Sequence, residues 1–181
     1  MWHALLRDTR FFALLTTLDQ DLAEQMRTQG CSCGGRLHRA DYPRKPRGGP
    51  ADLSPEQERR LSFCCAREGC RRRTTPPSLR FLGRRVYFGA VVVVVTTLVH
   101  GVTPRRAEAL RREFGVDRRT LARWRQWWRA YFPSSAFWRQ RRARFSPSVA
   151  VAGLPASLLE RFAAAGQPAG LVSLLRFLAP V

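Results

Sequence analysis

The chain has 181 residues, 45% of them hydrophobic, which excludes wholesale disorder and leaves room for one ordinary domain or two small ones. Its 32 basic residues face only 13 acidic ones, and the resulting net charge of +19 points to a polyanionic partner, nucleic acid ahead of a membrane surface or an acidic protein. Lys45 is the one lysine, and arginine's planar fork suits phosphates and guanine edges.

The first segment carries no expected signal peptide, because Arg7, Asp8 and Arg10 interrupt the early apolar stretch. Residues 8–28 have helical periodicity. Phe11, Leu14, Leu15, Leu18, Leu22 and Met26 form the predicted apolar stripe, and Gly30 is the stop signal. This amphipathic helix is expected to pack against the rest of the fold rather than to serve a partner.

All five cysteines follow within forty residues, as Cys31-Ser32-Cys33 and Cys64-Cys65-Ala66-Arg67-Glu68-Gly69-Cys70. Two closely spaced thiol pairs in a reducing compartment read as a tetrahedral S4 zinc site before they read as disulfides. The nominated ligands are Cys31, Cys33, Cys65 and Cys70, for one structural Zn2+, since four thiolates leave no open position for water. Cys64 is the surplus thiol and replaces Cys65 if the strand shifts by one residue. The parity with Leu61 and Phe63 does not decide between them, because the chain is expected to turn at the knuckle. His38 is an alternative ligand.

A zinc ribbon is therefore expected over residues 31–75, with antiparallel strands at Arg36–Tyr42 and Arg60–Cys65. Between them, Pro43 to Pro50 holds three prolines, two glycines and three positive charges and reads as a mobile basic loop, either solvated or against a phosphate backbone. Residues 71–85, broken at Pro76-Pro77, read as the ribbon's tail and a linker.

The longest apolar run, Val86 to Val99, contains five successive valines, which by β-propensity alone make a buried strand. Its fourteen residues, ended by His100-Gly101, fit a buried helix with a glycine C-cap better and fall short of the roughly 20 needed to span a bilayer. With no membrane segment and paired thiols, a cytoplasmic, nucleoid-associated location is expected.

Thr103-Pro104 is an N-cap with proline at the first helical position, and the helix it starts carries Ala107, Leu110 and Phe114 on one face and stops at Gly115. Asp117 caps the next, which repeats Leu121, Trp124 and Trp128 at helical spacing over about 118–131 and is expected to end at Pro133. Two short helices meeting at Gly115-Val116 are a predicted helix-turn-helix within 76–133. At 100° per residue, Arg119, Arg123 and Gln126 lie opposite the apolar stripe, with the donors and acceptors that read guanine and adenine edges in the major groove. Arg118, Arg105 and Arg106, at helix starts, and Arg71, Arg72 and Arg73 are expected on phosphates. Trp124 and Trp128 are expected in the core, with Trp127 open between core packing and base stacking.

Residues 134–181 read as a basic and apolar tail with short helices. Leu158, Leu159 and Phe162, then Leu171, Leu174, Leu175 and Leu178, either cover the core or bind a partner. The fold class is thus α+β: a small antiparallel ribbon, a mainly helical region, an N-terminal amphipathic helix and short C-terminal helices. Catalysis is not expected. The acidic residues show no convergent grouping for a metal-dependent nuclease, and there is no P-loop or nucleophile with an evident base.

This order of motifs resembles the zinc-ribbon plus helix-turn-helix DNA-binding arms of bacterial insertion-sequence transposases and their small accessory proteins. The likeness runs from about Cys31 to Phe132 and rests on Cys33-Gly34-Gly35, on Cys65 to Cys70 with Arg71-Arg72-Arg73-Thr74-Thr75-Pro76, and on Gly115-Val116 to Arg123-Trp124. Such transposases continue into an acidic catalytic domain, which this sequence does not show. The resemblance therefore implies an accessory or regulatory protein that binds duplex DNA, with a transposase or a second copy of itself as protein partner. The alternative is an RNA-binding or ribosome-associated basic ribbon protein.

Overall fold

A computed structural model describes residues 2–97 and 103–180. The fold is α+β. A one-turn α1 (Trp2–Leu5) leads into α2 (Thr9–Gln29), the longest helix of the described residues, started by the Asp8 carboxylate accepting from the Arg10 N–H and ended at Gly30 with φ 75°. Two small antiparallel sheets follow. β1 (Leu37–Arg39), β4 (Phe63–Cys65) and β5 (Arg73–Thr74) form one in the order β1-β4-β5, and β2 (Tyr42–Pro43) pairs with β3 (Arg59–Arg60) in the other. The short α3 (Pro55–Glu58) lies between β2 and β3 in the chain, opened by a capping box of Ser54 and Gln57.

The helical part comprises α4 (Gly89–Thr97), α5 (Pro104–Phe114), α6 (Arg118–Gln126), a π-helical turn at Trp127–Tyr131, α7 (Phe132–Ser134), α8 (Ala136–Arg141), α9 (Ala156–Ala163) and α10 (Ala169–Leu178). The valine run is helical in spite of its β-propensity because the core surrounds it: Ala90 and Val91 through Val95 are all at 0% exposure. The predicted cap at His100-Gly101 lies outside the described residues.

Apolar side chains gather in two clusters that share α2. The larger joins Phe11, Phe12 and Leu15 of α2 to Leu79–Leu82, α4, α5, α6, Trp138 and the C-terminal leucines. The smaller holds Ala23 of α2 with Leu37, Leu61, Phe63, Cys31 and Cys65. At roughly 1.5 Å per residue, α2 is about 30 Å long, so its first half serves one cluster and its second half the other.

Several expectations change. The inward face of α2 is turned from the predicted stripe, with Phe12 at 0% exposure and Leu14 at 40%. The segment read as a linker is core in its second half, since Ser78, Leu79, Arg80, Phe81 and Leu82 are all buried. Nor is the Pro43–Pro50 loop free. The Arg47 N–H donates to Val86 O and the Phe88 N–H to Arg47 O, while a Cβ on Gly49 would fall 2.6 Å from the Phe88 ring. Pro133 does not end the helix of α6. The proline ring would clash with the carbonyl four residues back, and the wider π turn before it carries the chain on to Ser134. The C-terminal leucines cover the core: Leu158, Leu171 and Leu174 are at 0% exposure.

Besides its apolar contacts, α2 is fastened by a buried ion pair that the residue pattern does not announce. Asp19 accepts from Arg80 Nε at 2.8 Å, from the Leu79 N–H at 2.6 Å and from the Ser78 hydroxyl. Arg80 Nη1 donates onward to Glu56 O and Gln57 O. Asp19 and Arg80 are at 1% and 0% exposure, so each charge depends on the other for its solvation.

Candidate metal centre and nucleic-acid interface

Two turns and a strand carry the thiols. Cys31 and Cys33 lie just past the end of α2, where Gly34 N–H donates to Cys31 O and Cys31 N–H to Gly35 O. Cys65 ends β4, and Cys70 follows a turn at Gly69 with φ 80°. The four sulfurs all lie within 4.8 Å of one another, with Cys33 and Cys65 at 3.5 Å and Cys31 and Cys70 at 3.9 Å. A tetrahedral ZnS4 unit with bonds of about 2.3 Å needs S···S separations of about 3.8 Å. The cluster therefore has the dimensions for one tetrahedral metal ion, and all four thiols are free.

Backbone amides converge on it. The Arg67 N–H donates to Cys65 Sγ at 3.4 Å, two residues along the chain. The corresponding Gly35 N–H is the largest influence that holds the Cys33 thiol down, to about 6, with the neighbouring sulfurs adding to it. Cys65 is pushed up to about 12: the Arg67 N–H acts to lower it, but desolvation and the three adjacent sulfurs outweigh that amide. One thiol is thus poised as thiolate while its neighbour resists a second negative charge, which is how four sulfurs behave until a cation shares their charge. Gly35 is required for space as well, since a Cβ there would stand 2.6 Å from Cys65 Sγ.

Strand parity settles the placement of Cys64. β4 continues straight through Cys65, whose partner is Leu37, so Phe63 and Cys65 point inward and Cys64 outward. The Cys64 thiol donates to Arg71 O, away from the cluster. His38 pairs with Cys64 across the sheet and is exposed, so it too stands apart from the four sulfurs.

The second group of nominated residues lies on α5 and α6. Thr103 caps α5 by accepting from the Arg106 N–H, and Arg105 and Arg106 are exposed in its first turn. Gly115, at φ 64°, ends α5 in the left-handed conformation, and Asp117 opens α6 by accepting from the Thr120 N–H at 2.6 Å. That amide, first among several groups, holds the Asp117 carboxyl below its ordinary range. Leu121 and Trp124 then fix the inner side of α6, at 2% and 6% exposure, and Trp128 of the π turn is at 0%.

Arg118, Arg119, Arg123 and Gln126 are all exposed on α6. Arg118 and Arg119 border a groove with Pro104, Glu108 and Arg111 of α5. Arg123 and Gln126 border another, formed with the 84–87 segment. Arg71, Arg72 and Arg73 belong elsewhere, at the thiol cluster and β5. They are exposed, but Arg72 donates to Ser32 Oγ and Arg73 lies over the Tyr42 ring. Trp127, left open by periodicity, is half-buried, edge-on to Trp128 and beneath the Arg85 guanidinium. Arg84 and Arg85, which border the second of these grooves, lie in a basic run that reads as linker because it follows two prolines.

No helix among the described residues is long and apolar enough to cross a membrane. No family model matches the chain, and no match is found among curated proteins or solved structures.

Proposed function

We propose that the protein binds duplex DNA, with α6 as the reading helix and one structural Zn2+ in the four-thiol cluster. In this reading it is an accessory protein or regulator of a mobile element, comparable to the DNA-binding arm of an insertion-sequence transposase. The observation that carries the proposal is the two-sided character of α6. Leu121, Trp124 and the following Trp128 lock one side into the core, while Arg119, Arg123 and Gln126 are exposed on the other, Arg123 donating to Thr120 Oγ1. A rigid helix that presents guanine- and adenine-reading side chains, on a chain of charge +19, has the chemistry of major-groove recognition. Arg105, Arg106, Arg118 and Arg71 to Arg73 are the proposed phosphate contacts.

Zinc is preferred among metals because four thiolates at tetrahedral spacing suit a soft structural site. The ion would neutralise the charge that four thiolates cannot carry together, and Cys31, Cys33, Cys65 and Cys70 would hold it. The test of the reading is a pair of substitutions measured by binding to duplexes of differing sequence at several salt concentrations. Arg123→Ala should flatten sequence preference. Arg71→Ala should weaken all duplexes alike and lower the salt slope by about one unit. Equal losses on every sequence for both variants count against α6 as the reader, and tighter binding to structured RNA than to any duplex favours the RNA alternative.

A further inference from the structure

Beside α6 lies a cleft of about 610 Å³, walled by Arg84 to Tyr87 on one side and by residues of α6 and the π turn on the other. Its floor is fixed: the Tyr87 hydroxyl donates to Gly115 O at 2.6 Å, and its ring stands edge-on to Trp124 at 4.9 Å. Its rim is open and apolar, with Tyr131 at 59% exposure and Val86 at 50%. The Arg85 guanidinium lies 3.8 Å from the centre of the Trp127 ring. Arg84, Arg85 and Arg123 form no ion pair among the described residues. Burial lowers Arg85 to about 10, still charged at neutral pH, so a half-desolvated cation faces this space without an anion.

The cleft thus offers aromatic and guanidinium faces, a carboxamide at Gln126, and two cations, Arg84 and Arg85, without an ion-pair partner among the described residues. A flat ring bearing a phosphate matches all of these at once. Bases stack on aromatic rings and on arginine planes, and phosphates take arginine forks. A base paired within a duplex keeps its faces covered by its neighbours and cannot supply this fit.

We propose that the cleft binds a single nucleotide, its base held by Tyr131 and the Arg85–Trp127 stack and its phosphate by Arg84. The nucleotide is either an unpaired residue of a strand gripped by α6 or a free nucleoside phosphate. Only the first source rests on the DNA-binding reading above.

The test uses the full chain loaded with zinc and four probes: deoxyadenosine monophosphate, inorganic phosphate, a blunt duplex, and that duplex with one unpaired 3′ nucleotide. The readouts are the Trp127 indole N–H resonance, assigned through Trp127→Phe, and duplex affinity at a fixed salt of about 0.15 M. The overhang should bind at least about fivefold tighter than the blunt duplex, the low end for one base stacked on an aromatic side chain. The mononucleotide should shift the Trp127 signal. Tyr131→Ala, at an exposed position, should abolish both effects with the other indole signals in place.

A shift with the mononucleotide and no overhang preference assigns the free nucleoside phosphate as ligand. An equal shift with inorganic phosphate overturns recognition of the base. No shift and an affinity ratio near one overturn the proposal, and blunt-duplex binding in that case leaves the DNA-binding reading standing. Mononucleotide binding with no duplex binding does the reverse.

Discussion

The two apolar clusters solve the problem of stability in different ways. The larger is filled by aromatic rings and leucines from most of the chain, and dispersion and burial suffice to hold it. The smaller has few apolar side chains beside its cysteines, and four sulfurs stand where a core of that size would need more leucine or phenylalanine. Small modules of this kind depend on a cross-link or a metal for what burial cannot supply. The region around the larger cluster is therefore expected to answer to cavities, and the smaller, four-thiol region to the metal proposed for it.

The largest expected effect falls where the two meet. Asp19→Ala strands Arg80 as a buried charge and should cost about 3–5 kcal/mol in global stability by urea unfolding. Both clusters should loosen together, because α2 serves both. A loss below about 1 kcal/mol would mean that Arg80 finds other solvation and that the junction is not fastened there.

Next is Leu174→Ala in the large cluster, expected to cost about 2–5 kcal/mol and to leave the metal content of the folded protein unchanged. Concurrent loss of metal would join the two regions more tightly than their side-chain packing implies. Conversely, Gly35→Ala drives a Cβ into Cys65 Sγ and should weaken metal affinity on the order of 10–100-fold. A strong chelator should then expose the amides of β1, β4 and β5 to exchange while those of α4 and α10 stay protected. Simultaneous release of all of them contradicts the separation.

The smallest effect is local. Because the Thr120 N–H holds the Asp117 carboxyl below its ordinary 3.8, the cap stabilises α6 above that pH and is lost as pH falls through the lowered value. Exchange protection of the Thr120 amide should decline in that acid range, whereas in Asp117→Ala it should be weak and flat with pH. Identical profiles for the two proteins would remove the cap from the account.

What could be read from the sequence divides along the same line. The end of α2, both ends of α5 and the start of α6 were legible because their signals are local: Gly30, Thr103-Pro104, Gly115 and Asp117 act within a turn of where they stand. Cys31, Cys33 and Cys70 were legible from spacing alone, and the fourth thiol only as Cys65 or Cys64. Cys65 separates from Cys64 only through the strand itself, because β4 stays extended as far as Cys65 and the chain turns after it.

Long-range matches were not legible. Asp19 and Arg80 are 61 residues apart, and each looks like an ordinary surface charge. Leu79 to Leu82 were hidden by the prolines and arginines around them. Pro133 misled because a stop signal holds for an α turn but is evaded by a π turn.

The central claim is that this molecule reads duplex DNA through α6. It is tested most directly by selecting ligands for the zinc-loaded full chain from a random duplex pool at about 0.15 M salt. The account predicts enrichment of a short preferred sequence, with guanine or adenine at the positions faced by Arg119, Arg123 and Gln126. A pool that stays random after repeated rounds, although the protein is folded and carries its metal, would contradict it.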